Sequence, residues 1–188
     1  MNKQPERTAM TRQDFINAFL ELSNYKSIDK ITVAELAKKA GYNRSTFYQY
    51  FTDINHLLSS IEHDMLLYIK ETILHQIGKE HPIELFITLF TQVNDEKRDI
   101  LKLLLDNSIG HPFPAKLKET LIPAFAIQMH LPPEDEHAII LLDFYLSGII
   151  AVLSRWITSE TPMPPEKYAL IIRGIVEGIQ KSELLPLL

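Results

Sequence analysis

The sequence predicts an all-α protein of about nine helices. Apolar residues recur at intervals of three and four, which is helical spacing, and proline or glycine falls between the runs. Strand signals are absent, since no alternating β-branched runs are joined by Asn-Gly or Asp-Gly turns. The 188 residues are 46% hydrophobic and 23% charged, a globular composition that excludes a disordered or fibrous chain.

Two helices are predicted at the N-terminal end of the chain. Helical periodicity covers residues 8–24, and a second helix covers residues 33–40. Thr32 and Glu35 form a capping box, in which the threonine hydroxyl accepts one helix N–H and the glutamate side chain reaches back to another. Gly41 supplies the left-handed residue that ends the second helix.

The remaining helices follow from caps and from proline. A short third helix is predicted over residues 44–50, with Asn43 as its N-cap. The fourth starts near residue 52 or 53 and continues to about residue 78. A kink or break is expected at Pro123, because the proline ring removes a helix hydrogen bond. The last five predicted helices cover residues 83–93, 96–107, 115–129, 134–158 and 166–181.

The second and third predicted helices carry the pattern that indicates function. A turn at Gly41 joins them, and Phe47 and Phe51 lie one turn apart on the inward side of the third. A short helix fixed by an apolar underside, with a polar outer face, is the arrangement of a helix-turn-helix, whose second helix enters the DNA major groove. The residues left on that outer face are Arg44, Ser45, Tyr48 and Gln49.

This stretch resembles the TetR family of bacterial transcriptional regulators. The resemblance covers about residues 8–60, and around residues 145–148 and 155–156 the chain is similar to a TetR subgroup common in Gram-positive bacteria. The residues that carry the N-terminal resemblance are Ile31-Thr32-Val33, Leu36-Ala37, Ala40-Gly41, the run Arg44-Ser45-Thr46-Phe47-Tyr48-Gln49-Tyr50-Phe51, and Leu57-Leu58.

The resemblance implies a function and a division of the chain. It implies a transcriptional regulator, typically a repressor, that binds a palindromic operator in double-stranded DNA as a homodimer and is controlled by a small-molecule effector. A DNA-binding domain is expected over residues 1–52, and an effector-binding and dimerisation domain over residues 53–188.

One position departs from the family pattern. Family members usually carry a lysine that grips phosphate at the start of the fourth helix, where this chain has Ile54 between Asp53 and Asn55. Either that phosphate contact is missing, or Asn55 or the helix amides replace it. An alternative function is therefore a TetR-like co-regulator that acts mainly through a partner protein and binds DNA weakly by itself.

Side-chain chemistry assigns roles within the helix-turn-helix. Arg44 can pair two-pronged with guanine and Gln49 with adenine, whereas hydroxyls and phenols suit phosphate oxygens. The plainer alternative is that the tyrosines only pack and Arg44 is a solvated charge. The predicted DNA-binding residues are Thr32, Asn43, Arg44, Ser45, Thr46, Tyr48, Gln49 and Tyr50.

The rest of the chain offers candidates for two further sites. Residues that could line an effector pocket, although side chains at helical spacing more often form simple core, are Phe86, Phe90, Leu104, Phe125 and Tyr145. Residues predicted at a dimer interface are Leu146, Ile150, Leu153, Gly174 and Gly178, the two glycines lying one turn apart where helices could approach closely. Asp143 interrupts the most apolar predicted helix and could pair with a buried arginine, bridge a dimer contact or meet a cationic effector.

Other classes of function lack their signatures. The absence of cysteine excludes disulfides and thiol catalysis, and no HExxH pair suggests a metal. No nucleophile elbow, phosphate loop or dinucleotide fingerprint occurs, so we expect no enzyme and no cofactor. The N-terminus has no apolar signal region, and the most apolar stretch, residues 138–153, is shorter than the ~20 residues that cross a bilayer. We therefore expect a cytoplasmic protein with no membrane partner.

Overall fold

The computed structural model describes residues 3–76, 97–106, 112–128, 131–132, 134–161 and 163–180, and these residues form helices and no strands. The predicted all-α fold class is confirmed. The helices are α1 (Lys3–Ser23), a 3-10 turn (Ile28–Lys30), α2 (Val33–Ala40), α3 (Arg44–Phe47), α4 (Ile54–Gln76), α5 (97–104), α6 (Phe113–Gln128), α7 (Glu136–Thr158) and α8 (Pro165–Gln180). The helix predicted over residues 83–93 lies outside the described residues.

The chain folds as two compact units, Met1–Asp64 and Met65–Leu188. The division between them falls inside α4, so one helix belongs to both units. The boundary predicted at residues 52 and 53 concerns function rather than compactness, and it stays a prediction.

The N-terminal unit is organised around a cluster of aromatic side chains. Phe15 and Phe19 of α1 are fully buried, as is Phe47 of α3. The rings of Phe15 and Phe47 meet edge to face with their centroids 5.4 Å apart, a favourable aromatic geometry. Burying a phenylalanine side chain stabilises a fold by about 1.5–3 kcal/mol, so this cluster fixes α3 against α1.

The ends of α2 match their sequence signals with one exception. The Thr32 hydroxyl accepts the Glu35 N–H at 3.2 Å, and Gly41 ends the helix at φ 80°. The Glu35 carboxylate, however, pairs with the Lys26 ammonium instead of reaching back to the start of α2. Only half of the predicted capping box is therefore formed, because a nearby cation binds the carboxylate.

The helix α6 passes through Pro123 without a break. Pro123 lies inside the continuous span Phe113–Gln128 and is exposed to solvent. A proline on the outer side of a helix leaves the carbonyl one turn earlier to water, which lowers the cost of the missing hydrogen bond. The sequence predicted a kink or a break at Pro123, and the continuous helix excludes the break.

The helix α7 is longer than its apolar stretch suggested. It has 23 residues and a mean hydropathy of 1.9 in its most apolar window, so by length and composition alone it could cross a membrane. The argument from insufficient length is therefore wrong. Its packing favours a core helix, because one face is buried in the C-terminal unit against α6. The buried residues of α7 are Ala138, Leu142, Leu146, Ile150, Leu153, Ser154, Trp156 and Ile157.

Candidate nucleic-acid interface

The helix α3 is shorter than the sequence predicted. It ends at Phe47, and residues 48–50 continue as a turn. In that turn the Gln49 N–H donates to the Thr46 carbonyl at 3.2 Å and the Tyr50 N–H to the Phe47 carbonyl at 2.9 Å. These bonds span three residues instead of four, so the chain tightens after one helical turn.

The two sides of α3 and the turn that follows it differ in exposure to solvent, as the apolar pattern indicated. Phe47 is fully buried and Phe51 nearly so. Arg44, Ser45 and Gln49 are exposed, and 52% of Tyr48 is accessible. The structure therefore presents a polar surface at the position where a recognition helix would meet base edges, while the individual DNA contacts stay predictions.

Arg44 is the free cation of this surface. Within the described parts of the chain it makes no ion pair and no hydrogen bond through its side chain, and it is exposed. A guanidinium is always charged and carries five donors in a planar fork. It is therefore available to form the two parallel bonds to guanine that the sequence predicts for it.

Asn43 acts first as the cap of α3. Its Oδ1 accepts the Thr46 N–H at 2.8 Å, the Ser45 hydroxyl at 2.7 Å and the Thr46 hydroxyl at 2.8 Å. An amide oxygen has two lone pairs, so the three donors compete for it. At least one hydroxyl can turn towards a phosphate oxygen without leaving Asn43 unsatisfied.

Thr32 and the two tyrosines contribute in different ways. The Thr32 oxygen caps α2, which leaves its hydroxyl proton for an acceptor such as phosphate. Tyr48 lies on the surface with its ring edge-on to Phe47, at 5.6 Å between centroids. Tyr50 is half-buried, and its ring lies 6.2 Å from that of Phe15. Its ring therefore packs at the aromatic core.

Side chains at the start of α4 accept hydrogen bonds from the backbone N–H groups there. The Asp53 carboxylate accepts the His56 N–H at 2.8 Å, and the His56 Nδ1 accepts the Thr52 N–H at 3.1 Å. The backbone N–H of His56 is the main reason why the pKa of Asp53 lies below its ordinary value. One helix amide that could have replaced the missing lysine is therefore occupied, whereas Asn55 is exposed.

Sequence reasoning missed Tyr42, which lies in the turn between α2 and α3. The Tyr42 hydroxyl donates to Asp14 Oδ2 at 2.8 Å, and its ring lies 5.3 Å from that of Phe15. The only sequence signal was a phenol placed beside a turn glycine. The partner is 28 residues away, so no local pattern identifies it.

The effector candidates are only partly within the described residues. Phe86 and Phe90 lie outside them. Leu104 and Phe125 are buried, as pocket or core residues would be. Tyr145 is half-buried and lines an open groove on the outer face of α7, where burial raises the pKa of its phenol. Within the described chain its hydroxyl is enclosed without a hydrogen-bond partner.

Three of the predicted dimer residues are buried within the single chain. Leu146, Ile150 and Leu153 face the interior of the C-terminal unit, with 1%, 6% and 8% of each accessible. Residues already buried within one chain cannot present a surface to another. Gly174 is exposed on α8, and a Cβ there would meet open space. Gly178 is part of α8.

The opposite face of α7 is the exposed one. Together with α8 it forms an open groove of about 850 Å³. The apolar residues that line it include Ile139, Ile140, Phe144 and Val152 of α7 and Ile172 and Ile175 of α8. Most of these apolar side chains are accessible to solvent in the single chain.

Asp143 is paired within the chain. Its carboxylate lies 2.8 Å from the ammonium of Lys118 on α6, which also donates to Ser147 Oγ at 3.2 Å. Of the alternatives left open by the sequence, intramolecular pairing is the one observed, with lysine in place of arginine. Among the described residues, no group of three or more histidine, aspartate or glutamate side chains could hold a metal ion.

Comparisons with known proteins agree with this architecture. Residues 16–61 match the model of the bacterial regulatory proteins of the tetR family, and residues 80–178, more than half of the chain, match a transcriptional regulator C-terminal region. An uncharacterized HTH-type transcriptional regulator of Bacillus subtilis strain 168, YvdT, is 30% identical over 92 residues. That match covers 49% of this chain and 46% of YvdT, so the chain spans about half the length of this curated relative.

Solved structures show the same fold. The dihydroxyacetone kinase operon activator DhaS superposes with a TM-score of 0.63 at 18% identity, over 90% of this chain and 96% of DhaS. A TetR transcriptional regulator from Streptococcus agalactiae 2603V superposes with a TM-score of 0.60 at 22% identity, over 90% and 97%. The repressor AlkX from Dietzia superposes with a TM-score of 0.51 at 18% identity, over 89% and 97%. With its helix-turn-helix, its C-terminal region and its fold in agreement, the chain belongs to the TetR family of DNA-binding transcriptional regulators, which are not enzymes.

Proposed function

We propose that this regulator binds a palindromic operator as a homodimer and represses transcription in the cytoplasm, where the bacterial DNA lies. The observation that carries the proposal is the exposure of Arg44 and Gln49 on the outer side of a helix-turn-helix whose Phe47 is buried. In a dimer, two copies of α3 would meet successive major grooves roughly 34–36 Å apart.

The exposed face of α7 and α8 supports self-association. Phe144, Leu170 and Ile140 are 72%, 67% and 61% accessible, far more than core residues of their type. Gly148 and Gly174 leave open space where a Cβ would stand, so a helix could approach closely. A two-fold dimer would bury this face on both copies against the same face of the partner.

Effector control completes the proposal. Leu104, Phe125 and Tyr145 would contribute to a pocket in the C-terminal unit, and the enclosed Tyr145 hydroxyl would be satisfied by a polar group of the ligand. A ligand that binds one conformer better would change the spacing of the two α3 helices. A coupling free energy of about 1–3 kcal/mol is typical of such control.

The sign of regulation rests on the family resemblance. The names of two structural neighbours describe one activator, DhaS, and one repressor, AlkX, so this fold serves both outcomes. A reporter gene under the selected operator tests the sign directly. Repression predicts higher reporter output when Arg44 is replaced by alanine, and lower output would show activation.

Selection of genomic DNA fragments by the purified full-length chain, at two salt concentrations, tests DNA reading. The proposal predicts one palindromic site, bound more weakly at higher salt because counterions are released from phosphate. The Arg44→Ala chain, carried through the same selection, should recover that site with a weaker preference over other DNA. Recovery of unselected DNA by the unaltered chain would contradict the proposal.

The start of α4 favours one alternative, a co-regulator that acts through a partner protein. Ile54 stands where family members usually carry a phosphate-binding lysine, and the carboxylate of Asp53 precedes it. This arrangement weakens attraction to DNA. If the Arg44→Ala chain regulates its target genes in the cell as strongly as the unaltered chain, partner-mediated action is supported and direct operator reading is rejected.

A further inference from the structure

The recognition helix is too short to fix its own direction. With the span Arg44–Phe47, α3 has a single helical turn, and isolated helices of that length are not stable in water. Its orientation must come from contacts at its two ends. At the C-terminal end, Phe47 and Phe51 enter the aromatic core with their centroids 5.4 Å apart.

The N-terminal end of α3 is held by Tyr42. This residue follows Gly41, whose φ is 80°, and precedes Asn43, the cap of α3. The Tyr42 ring packs against Phe15, and its hydroxyl donates to Asp14 Oδ2 at 2.8 Å. Both partners lie on α1, a helix of 21 residues that provides a rigid reference.

The ring and the hydroxyl of Tyr42 do different things. The ring buries apolar surface against Phe15. Burial of this kind stabilises the fold but does not depend on direction, so it does not fix the orientation of α3. The hydroxyl selects one direction, because a hydrogen bond to a carboxylate is strong and depends on its angle. Thr11 adds only a weak third partner, with its hydroxyl 3.4 Å from that of Tyr42.

We propose that the hydrogen bond from Tyr42 to Asp14 sets the position of α3 for base reading, which makes Tyr42 a positioning residue for DNA specificity. The inference rests on the proposed operator reading by α3. Arg44 is two residues from Tyr42, so a shift of the turn displaces its guanidinium. Paired bonds to a base edge tolerate such a shift poorly, whereas contacts to phosphate tolerate it well.

Three single variants distinguish the effect of the Tyr42–Asp14 hydrogen bond from that of ring packing and from that of the Asp14 charge. Tyr42→Phe removes the hydroxyl and keeps the ring. Asp14→Ala removes the acceptor, and Asp14→Asn keeps an acceptor oxygen without the charge. Affinity is measured for the duplex recovered by fragment selection and for a scrambled duplex of the same length, each at two salt concentrations, together with the unfolding midpoint.

The readout is the ratio of the two affinities, because loss of the Asp14 charge alters both affinities alike. We expect Tyr42→Phe and Asp14→Ala to lower this ratio about fivefold, the worth of one net hydrogen bond. The Tyr42→Phe chain should keep its salt slope, Asp14→Asn should keep the ratio, and the double variant Tyr42→Phe/Asp14→Ala should lose no more than either single one.

Two results would overturn the inference while leaving operator reading intact. One is an unchanged ratio in Tyr42→Phe, whatever happens to the unfolding midpoint. The other is an equal loss in Asp14→Asn and Asp14→Ala, which would assign the effect to charge. If the unaltered chain binds both duplexes alike, operator reading itself fails, and the inference fails with it.

Discussion

Arg12 of α1 and Asp64 of α4 form an ion pair of 2.7 Å between Nη2 and Oδ2. The guanidinium of Arg12 also lies 5.9 Å from the ring centre of Phe51, the last aromatic residue of the helix-turn-helix core. One side chain therefore contacts α4 and the end of the DNA-binding element at once. Both partners of the ion pair are partly exposed, so water and salt weaken it.

Replacing Arg12 by alanine should lower the free energy of unfolding by less than about 1 kcal/mol, as expected for a partly exposed ion pair. The loss should shrink at high salt, where the ion pair is screened. Chemical denaturation at low and high salt measures it. Arg7→Ala, an exposed change on the same helix, is the matched control, and an equal effect of the two substitutions would exclude a role for the Asp64 contact.

Replacing Arg44 by alanine should remove about 1–3 kcal/mol of discrimination between the selected and the scrambled duplex, because the proposed two-pronged contact to guanine would be lost. Competition binding with both duplexes measures this. Lys38→Ala, which removes an exposed cation from α2, should weaken both affinities alike. A uniform loss in Arg44→Ala would instead place Arg44 on the phosphate backbone.

Asp53 makes the stability of the N-terminal unit sensitive to acid. Because its pKa is lowered below 3.8 on folding, mainly by the His56 N–H, its charge contributes stability above that value. That contribution is lost as the pH falls through the lowered pKa. Asp53→Asn should therefore destabilise the chain at pH 7, and the difference from the unaltered chain should narrow towards pH 3. Unfolding midpoints at both pH values test this, with Glu160→Gln as the control, and a constant difference would contradict the assignment.

Local signals predicted local structure well. The bounds of α2 were predicted to the residue, because the Thr32 cap and the left-handed Gly41 act within a few residues of the helix. The same reasoning identified which residues of the helix-turn-helix face outward. It could not identify the pairs Tyr42–Asp14 and Arg12–Asp64, whose members lie 28 and 52 residues apart and meet only after folding.

The dimer residues on α7 show where periodicity fails. Its pattern is apolar on both faces, since Leu142 and Leu146 lie on one and Ile140 and Phe144 on the other. Helical spacing therefore identifies two apolar faces on α7, but it does not indicate which of them is buried within the subunit. The buried face is determined by the packing of α7 against α6, where Lys118 of α6 forms an ion pair with Asp143.

Replacing Leu146 by alanine tests whether this residue belongs to the interior of the subunit or to the proposed dimer interface. A leucine with 1% accessibility should cost about 2–5 kcal/mol of unfolding free energy when truncated, because a cavity remains. The dissociation constant of the proposed dimer should not change, since Leu146 faces the interior. Denaturation and sedimentation of the same protein measure both quantities. A higher dimer dissociation constant with an unchanged free energy of unfolding would show that Leu146 lies in the interface.

Replacing Phe144 by glutamate should break the proposed dimer while leaving the subunit folded. Phe144 is 72% accessible, so a carboxylate there meets water in the single chain, but it would be buried without a partner in the dimer. We expect the dimer dissociation constant to rise on the order of a hundredfold, because an uncompensated buried charge costs several kcal/mol. Sedimentation velocity over a range of concentrations measures it.

Ile127→Glu is the matched control, since Ile127 is 64% accessible on α6 and does not line the groove. Dimers that survive Phe144→Glu, or that are lost equally in Ile127→Glu, would show that the outer face of α7 and α8 is not where two copies meet.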